Sequence, residues 1–255
     1  MEALLSQLPA LLTSVWWPFC RVMAMFTAAP ILGENMVPVS VRILLSLVLA
    51  VVLIPLAQPA VPIEPISAQA VLVTLEQVLI GFGIGFAFHL MVAVVMVLGF
   101  TVSSQMGLSM AVMNDPMNGM SSDAVSSVLY LLSVLIFFSI DGHLVLAGVL
   151  GASFHSYPVG AGIDLGTLQA LAYHAAWVFS AALLLAVPVI FSALVVQIGF
   201  GFLNRAAPAL NLYSLGFSVV TLFGLSMLSY VLRFVPDHYV RMTNQVLELL
   251  HRNVR

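Results

Sequence analysis

Residues 68–103 read AQAVLVTLEQVLIGFGIGFAFHLMVAVVMVLGFTVS. Glu76 is the one formally charged side chain in the run. About 20 apolar residues are enough to cross the hydrocarbon of a bilayer, and this run is far longer. In lipid every backbone N–H and C=O must find a partner within the segment or its closed sheet, so such a run reads as a helix. It fixes the class: an all-α integral membrane protein.

Five more apolar runs flank it, at roughly 4–29, 41–57, 125–150, 168–203 and 213–235. The chain of 255 residues is 62% hydrophobic and 7% charged, whereas a soluble domain carries about 25% charged residues. It lacks the charge to cover a surface in water. About six hydrophobic helical segments are therefore expected. The runs at 68–103 and 168–203 exceed one bilayer and must tilt, bend or extend beyond it. Gly81, Gly83 and Gly85 loosen the first, and Pro188 can kink the second. GFGIGFAF does not follow a strand and is not a phosphate loop; its small residues suit close approach by another helix.

Three loops separate these runs. Residues 55–65 (PLAQPAVPIEP) form a proline-dense linker, residues 153–167 hold Pro158, Gly160, Gly162 and Gly166, and residues 204–211 read NRAAPALN. After Pro236 the chain turns polar. Residues 243–255 suit an amphipathic helix with Val246, Leu249 and Leu250 on one side.

All seven basic residues are arginine and the net charge is -3, so no basic patch exists to meet a nucleic acid. Cys20 is the sole cysteine, which excludes an intrachain disulfide. The N-terminus carries Glu2 in place of a basic n-region, so the first apolar segment is expected to be retained. Arginine positions give a conflicting topology. Arg241, Arg252 and Arg255 place the C-terminus in the cytoplasm, yet Arg205 lies one apolar segment earlier. Hairpins that do not all cross the bilayer would resolve the conflict.

Arg21, Glu76, Asp141, His89 and His174 sit in apolar context. A charge at the membrane centre costs about 2.5–3.5 kcal/mol on insertion scales. Such residues face protein or water, either as interhelical pairs or along an ion path. Asp141-Gly142 is also a turn signal and can mark a bend. The sequence has no HExxH, CxxC, GxSxG or P-loop, and no catalytic role, cofactor or metal site is expected.

Residues 105–123, QMGLSMAVMNDPMNGMSSD, hold five of the 13 methionines, at 106, 110, 113, 117 and 120. Their spacing of 4, 3, 4, 3 is that of a helix face. Three readings compete. In the first, the methionines are ordinary packing, although Asn114, Asp115 and Asn118 do not suit a lipid-facing stripe. In the second, Met106/Met110 and Met113/Met117 ligate Cu(I), since thioethers are soft ligands and M-x3-M resembles copper transporters. No Cys or His supports that set. In the third they form a pliable seal, because methionine adapts to varied shapes. A helix then runs through Met106, Met110 and Met113, Asp115-Pro116 breaks it, and Gly119 frees the turn. Irregular backbone at membrane depth belongs against protein or a cavity.

Five stretches carry a family resemblance in this order: FCRVMAMFTAAPILGENMVPVSVRILLSLVLAVVLIP with Arg21, Pro30, Pro38 and Arg42; EQVLIGFGIGFAFHL with Glu76, Gly81 and Gly85; QMGLSMAVMNDPMNG with Gly107, Asp115, Pro116 and Gly119; DGHLVLAGVLGASFHSYPVG; and LNRAAPALNLYSLGFSV with Arg205, Pro208, Asn211 and Gly216. Together they resemble the FliR family of flagellar type III export-gate proteins, whose injectisome relatives are called SctT. The last stretch is closer to the flagellar branch, with Ser218 standing where the family pattern has proline.

The resemblance implies a subunit without catalytic activity. One copy joins several FliP and FliQ subunits in a helical, cone-shaped membrane assembly that works with FlhA, FlhB and an export ATPase. Unfolded export substrates pass through its pore, in the inner membrane at the flagellar basal body. Its helices form hairpins that need not all cross the bilayer. Residues 1–123 are similar to FliP and end in a plug loop at 105–123; residues 124–255 are similar to FliQ, with an amphipathic tail at 237–255. In the plug, Met106, Met110, Met113, Met117 and Met120 supply the apolar seal. Gly107, Asp115, Pro116 and Gly119 shape its bend. Arg21, Glu76, Asp141 and Arg205 are expected as interhelical or intersubunit polar contacts. An injectisome subunit, or a stand-alone small-solute or Cu(I) transporter, are the alternatives.

Overall fold

The long apolar runs become helices in the computed structural model, which describes residues 2–34, 37–59, 63–64, 66–108, 113–114, 121–122, 124–162, 165–207 and 212–252. Among the described residues, eight helices follow one another: α1 (Glu2–Ala28), α2 (Val39–Leu53), α3 (Ala68–Gln105), α4 (Ala124–Ser139), α5 (Gly142–Ser156), α6 (Leu165–Ala206), α7 (Leu212–Val231) and α8 (Val235–Arg252). A two-residue antiparallel ladder, β1 (Met113–Asn114) with β2 (Ser121–Ser122), lies between α3 and α4.

By length and composition, α3 and the Ala176–Ala206 part of α6 can each cross a membrane. The pairs α4 with α5, and α7 with α8, pass the same test only when each is taken as one broken span. The expected run at 125–150 is thus split. Asp141 takes φ 54° between α4 and α5, and its carbonyl accepts from the N–H groups of Leu144 (2.9 Å) and Val145 (3.1 Å). The Asp-Gly turn signal marks a break, and Asp141 is exposed there. Pro188 stays inside α6. The tail helix begins earlier than 243. Pro236 sits in the first turn of α8, where its missing N–H costs nothing, and α8 is the most amphipathic of the helices.

The chain divides into two compact units. The first holds residues 1–90, 140–174 and 243–255; the second holds 91–139 and 175–242. The units interleave along the sequence, with α3 and α6 contributing to both.

In the first unit, Gly81 and Gly85 decide the packing of α3 on α1. A Cβ at Gly81 would strike the Arg21 carbonyl, and one at Gly85 would strike Met25 O and come within 2.8 Å of Ala29 N. The glycine-rich motif therefore admits a helix backbone. The small faces at i and i+4 do what GxxxG spacing does in membranes. Trp16 Nε1 donates to Thr74 Oγ1 across the same pair (3.2 Å). Helix α2 buries a narrow stripe, Ser46, Ala50 and Leu53, and Ser46 Oγ lies near Met23 Sδ (3.5 Å). Its other faces leave Leu44, Val48 and Val52 exposed. Arg42 Nη2 ties the preceding loop to α2 by donating to Glu34 O (3.0 Å) and Val37 O (3.2 Å). The proline linker is pinned by a parallel bridge between Pro59 and Val159.

In the second unit, α4 lies on α3 at Gly99, where a Cβ would come within 2.6 Å of Ser126 Cα. Ser126 Oγ donates to Met96 O (3.2 Å). Among the described side chains of α6 the buried ones are Val178, Ala182, Ala186, Val189 and Ala193, a stripe of small and β-branched residues at spacing 4, 4, 3, 4. On its other faces Leu184, Phe191, Val195 and Phe202 are exposed. Of its most apolar stretch 28% is buried within this chain, against 56% for α3.

Candidate functional site

Two groups of the expected residues have a defined geometry. The first is the entry to the methionine-rich segment, in the second unit. Here α3 ends at Gln105. Gly107 takes φ +72°, the left-handed conformation that glycine adopts without a Cβ penalty. Its N–H bonds Ser104 O (3.2 Å) while Met106 N bonds Val102 O (3.1 Å), as in a Schellman-type helix end. Met113 and Asn114 are extended and pair with Ser122 and Ser121.

Among the described residues, Met106 therefore lies beyond the end of α3 and Met113 in a strand, so neither sits in the helix expected to carry them. The methionines keep helical spacing in sequence, but a glycine at the C′ position stops the helix before the stripe begins. The ladder brings the backbone on either side of residues 115–120 together. Met110, Asp115, Pro116, Met117, Gly119 and Met120 lie outside the described residues.

Met106 itself is fully buried. Its side chain rests on Gly224 of α7, where any Cβ would overlap Met106 Cγ and Sδ. Thr221 Oγ1 lies 3.0 Å from Met106 O and 2.9 Å from Phe217 O, so its single proton serves one carbonyl or the other. The Phe217 ring covers Gly107, with Cε2 at 2.7 Å from the position of a Cβ. A cleft of 690 Å³ opens beside this junction, bounded by Gly107, Gln197, Phe200, Asn204 and Phe217.

The second group is a buried polar centre in the first unit. Arg21, in α1, has no exposed surface. Its Nε donates to Gln77 Oε1 (2.8 Å), Nη1 to Ser153 Oγ (3.0 Å) and Nη2 to Tyr157 O (2.8 Å). The guanidinium lies 4.0 Å from the centroid of the Phe154 ring. A planar fork can serve three acceptors and a ring face together. Glu76 stands in the same centre. Its carboxylate accepts backbone hydrogen bonds from Gly160 and Gly162, feels the Arg21 charge, and accepts from Gln77 Nε2 (3.3 Å).

Arg21 and Glu76 are thus brought together, with α3, α5 and the loop after α5 around them. Asp141 and Arg205 are elsewhere. Asp141 sits at the α4–α5 break, and Arg205 is exposed in the last turn of α6. There a cation complements the helix dipole. Sequence reasoning missed Gln77, Ser153, Phe154 and Tyr157 around Arg21, and Phe217, Thr221 and Gly224 around Met106. The spacing 217, 221, 224 is a helix face, but nothing in the sequence says what that face touches.

An all-helical membrane chain with a buried charge centre and a helix that stops at a methionine-rich loop defines a class of membrane component. The chain matches the family described as bacterial export proteins, family 1, over residues 12–246, and it belongs to that family, the FliR family. It is 30% identical over 236 residues to the flagellar biosynthetic protein FliR of Escherichia coli (strain K12), covering 92% of this chain and 90% of the relative. It is 31% identical over 239 residues to the FliR of Pectobacterium carotovorum subsp. carotovorum, with the same coverage. Similarity extends at 24% identity over 247 residues to the surface presentation of antigens protein SpaR of Salmonella typhimurium, covering 95% of this chain and 92% of that one.

Proposed function

We propose that this chain is a gate subunit of a flagellar type III protein-export channel in the bacterial inner membrane, at the base of the flagellum. Residues 105–123 act as its plug. Met110, Met113, Met117 and Met120 supply a deformable apolar seal, and Gly107, Asp115, Pro116 and Gly119 shape the bend. The partners are FliP and FliQ subunits within the complex, with FlhA and FlhB alongside and unfolded substrates in the pore. The FliP-like and FliQ-like halves, 1–123 and 124–255, meet at the end of the plug. The role is structural, and no chemical step is assigned to it.

One observation carries the reading. In a chain of FliR-family sequence, the long helix α3 ends at Gln105 with Gly107 left-handed just beyond it, a methionine-rich sequence follows, and a ladder joins the backbone on either side of residues 115–120. Such a segment between two membrane helices requires a cavity or a protein wall around it.

Deletion of residues 110–117 is the direct test. The complex should still co-purify in mild detergent with two other small hydrophobic subunits, while cells become leaky to small ions. A tight membrane after that deletion would remove the plug from the account. Changing Met106, Met110, Met113 and Met117 together to Leu keeps an apolar seal but removes the thioether pairs that would ligate Cu(I). Normal motility in that variant excludes copper transport. The similarity to SpaR supports one other reading, the same gate in an injectisome. Loss of motility in a deletion strain, with secretion of other proteins intact, decides for the flagellum.

A further inference from the structure

We infer that the face of α7 formed by Phe217, Thr221 and Gly224 anchors the plug, with Met106 as its root. The inference rests on reading residues 105–123 as the plug.

The last four carbonyls of a helix have no partner within it. The carbonyl of Met106, immediately beyond the last residue of α3, is such a group, and the Thr221 hydroxyl reaches it from α7 at 3.0 Å. One helical turn further, Gly224 leaves the space that the Met106 side chain fills. One turn earlier, the Phe217 ring closes over Gly107, whose φ of +72° sets the direction in which the chain leaves the helix. Three residues at spacing 4 and 3 thus hold the backbone, the side chain and the turn of the same junction.

The 690 Å³ cleft runs along the same junction, bordered by Met106 and Gly107 on one side and by Phe217 and Val220 of α7 on another. Met106 is fully buried, which suits an anchor and not a surface that must yield to a passing polypeptide. The cost of releasing the root is then set by α7, whose Thr221 lies 115 residues beyond Met106 in the chain.

The test is made on the full export complex in cells, reading ion leak, motility and recovery of the complex together. Gly224→Val should raise the leak with the complex recovered normally, because the new side chain occupies the place of Met106. Adding Met106→Ala returns that space and should restore a tight membrane. Thr221→Val keeps the shape and removes the hydrogen bond; a rise in leak of about 3- to 10-fold is expected from losing one such bond.

A Gly224→Val complex that assembles and stays tight overturns the anchor. So does a double variant as leaky as the single one. Should Gly224→Val fail to assemble, Thr221→Val decides alone, and a tight, fully motile Thr221→Val complex sinks the inference. Deletion of residues 110–117 separates the two ideas. A leaky deletion beside tight α7 variants defeats the anchor and leaves the plug, whereas a tight deletion defeats the plug itself.

Discussion

Arg21 shows what one residue must do to sit where lipid and protein are both apolar. A guanidinium removed from water loses several kcal/mol of solvation, and good geometry with enough acceptors returns it. Gln77, Ser153, Tyr157 O and the Phe154 face are that geometry. Arg21→Lys keeps the charge and loses the fork, and a loss of about 1–3 kcal/mol is expected. Arg21→Ala strands three polar groups and should cost about 3 kcal/mol or more. Both are measured as the fraction of complex surviving a heat step in detergent. Serines make a sharper comparison. Ser153 Oγ accepts from Arg21, whereas the Oγ of buried Ser103 has no partner among the described residues. Ser153→Ala should lower the midpoint of thermal unfolding, and Ser103→Ala should leave it unchanged or raise it; equal losses would refute the distinction. At this scale the sequence announced Arg21 and Glu76, because charge in an apolar run is conspicuous. It did not announce their partners, which are ordinary residues far away in the chain.

Elements were more legible than sites, since apolar length and lipid chemistry leave helix as the main choice. The run 68–103 became α3, the glycines 81 and 85 became a helix-packing face, and Asp141-Gly142 became a break. The end of α3 was misjudged. A helix was expected to run through Met106, Met110 and Met113 and to break at Asp115-Pro116, whereas α3 ends at Gln105 and Gly107 beyond it is left-handed. Spacing says which faces a helix would have; a terminating glycine says whether there is a helix. Glycine substitutions check the packing account. Gly81→Ala and Gly85→Ala push α1 off α3 and should lower the yield of assembled complex. Gly199→Ala, whose added Cβ would meet no other part of the described residues within 4 Å, should be harmless or gain up to about 1 kcal/mol from helix propensity. If all three behave alike in thermal unfolding, the close approach is not what holds the pair.

For the whole molecule, length is the telling quantity. At about 1.5 Å per residue, α2 with 15 residues spans roughly 22 Å and cannot cross a hydrocarbon core of about 30 Å. By the same measure α3, with 38 residues, reaches roughly 57 Å and must tilt or stand beyond it. A chain with such unequal helices fits poorly into a set of plain crossings, which is why arginine counting gave a conflicting topology. The exposed apolar side of α2 nevertheless needs an apolar neighbour. Val48→Arg should cut the amount of membrane-extracted protein sharply, while Val48→Phe should not; equal recovery of the two would place that side in water.

The Arg21 centre also has a history in time. Its acceptors lie 56, 132 and 136 residues further along the chain. At ordinary synthesis rates the ribosome reaches Ser153 and Tyr157 on the order of ten seconds after Arg21 has emerged. Until then Gln77 is the one of the three acceptors already made, so Nη1 and Nη2 have to keep water or lipid headgroups about them, which holds this part of α1 near an interface. The first helix to be made is therefore among the last to be seated. A chain truncated before Ser153 should leave α1 stranded at the membrane surface, within reach of a protease.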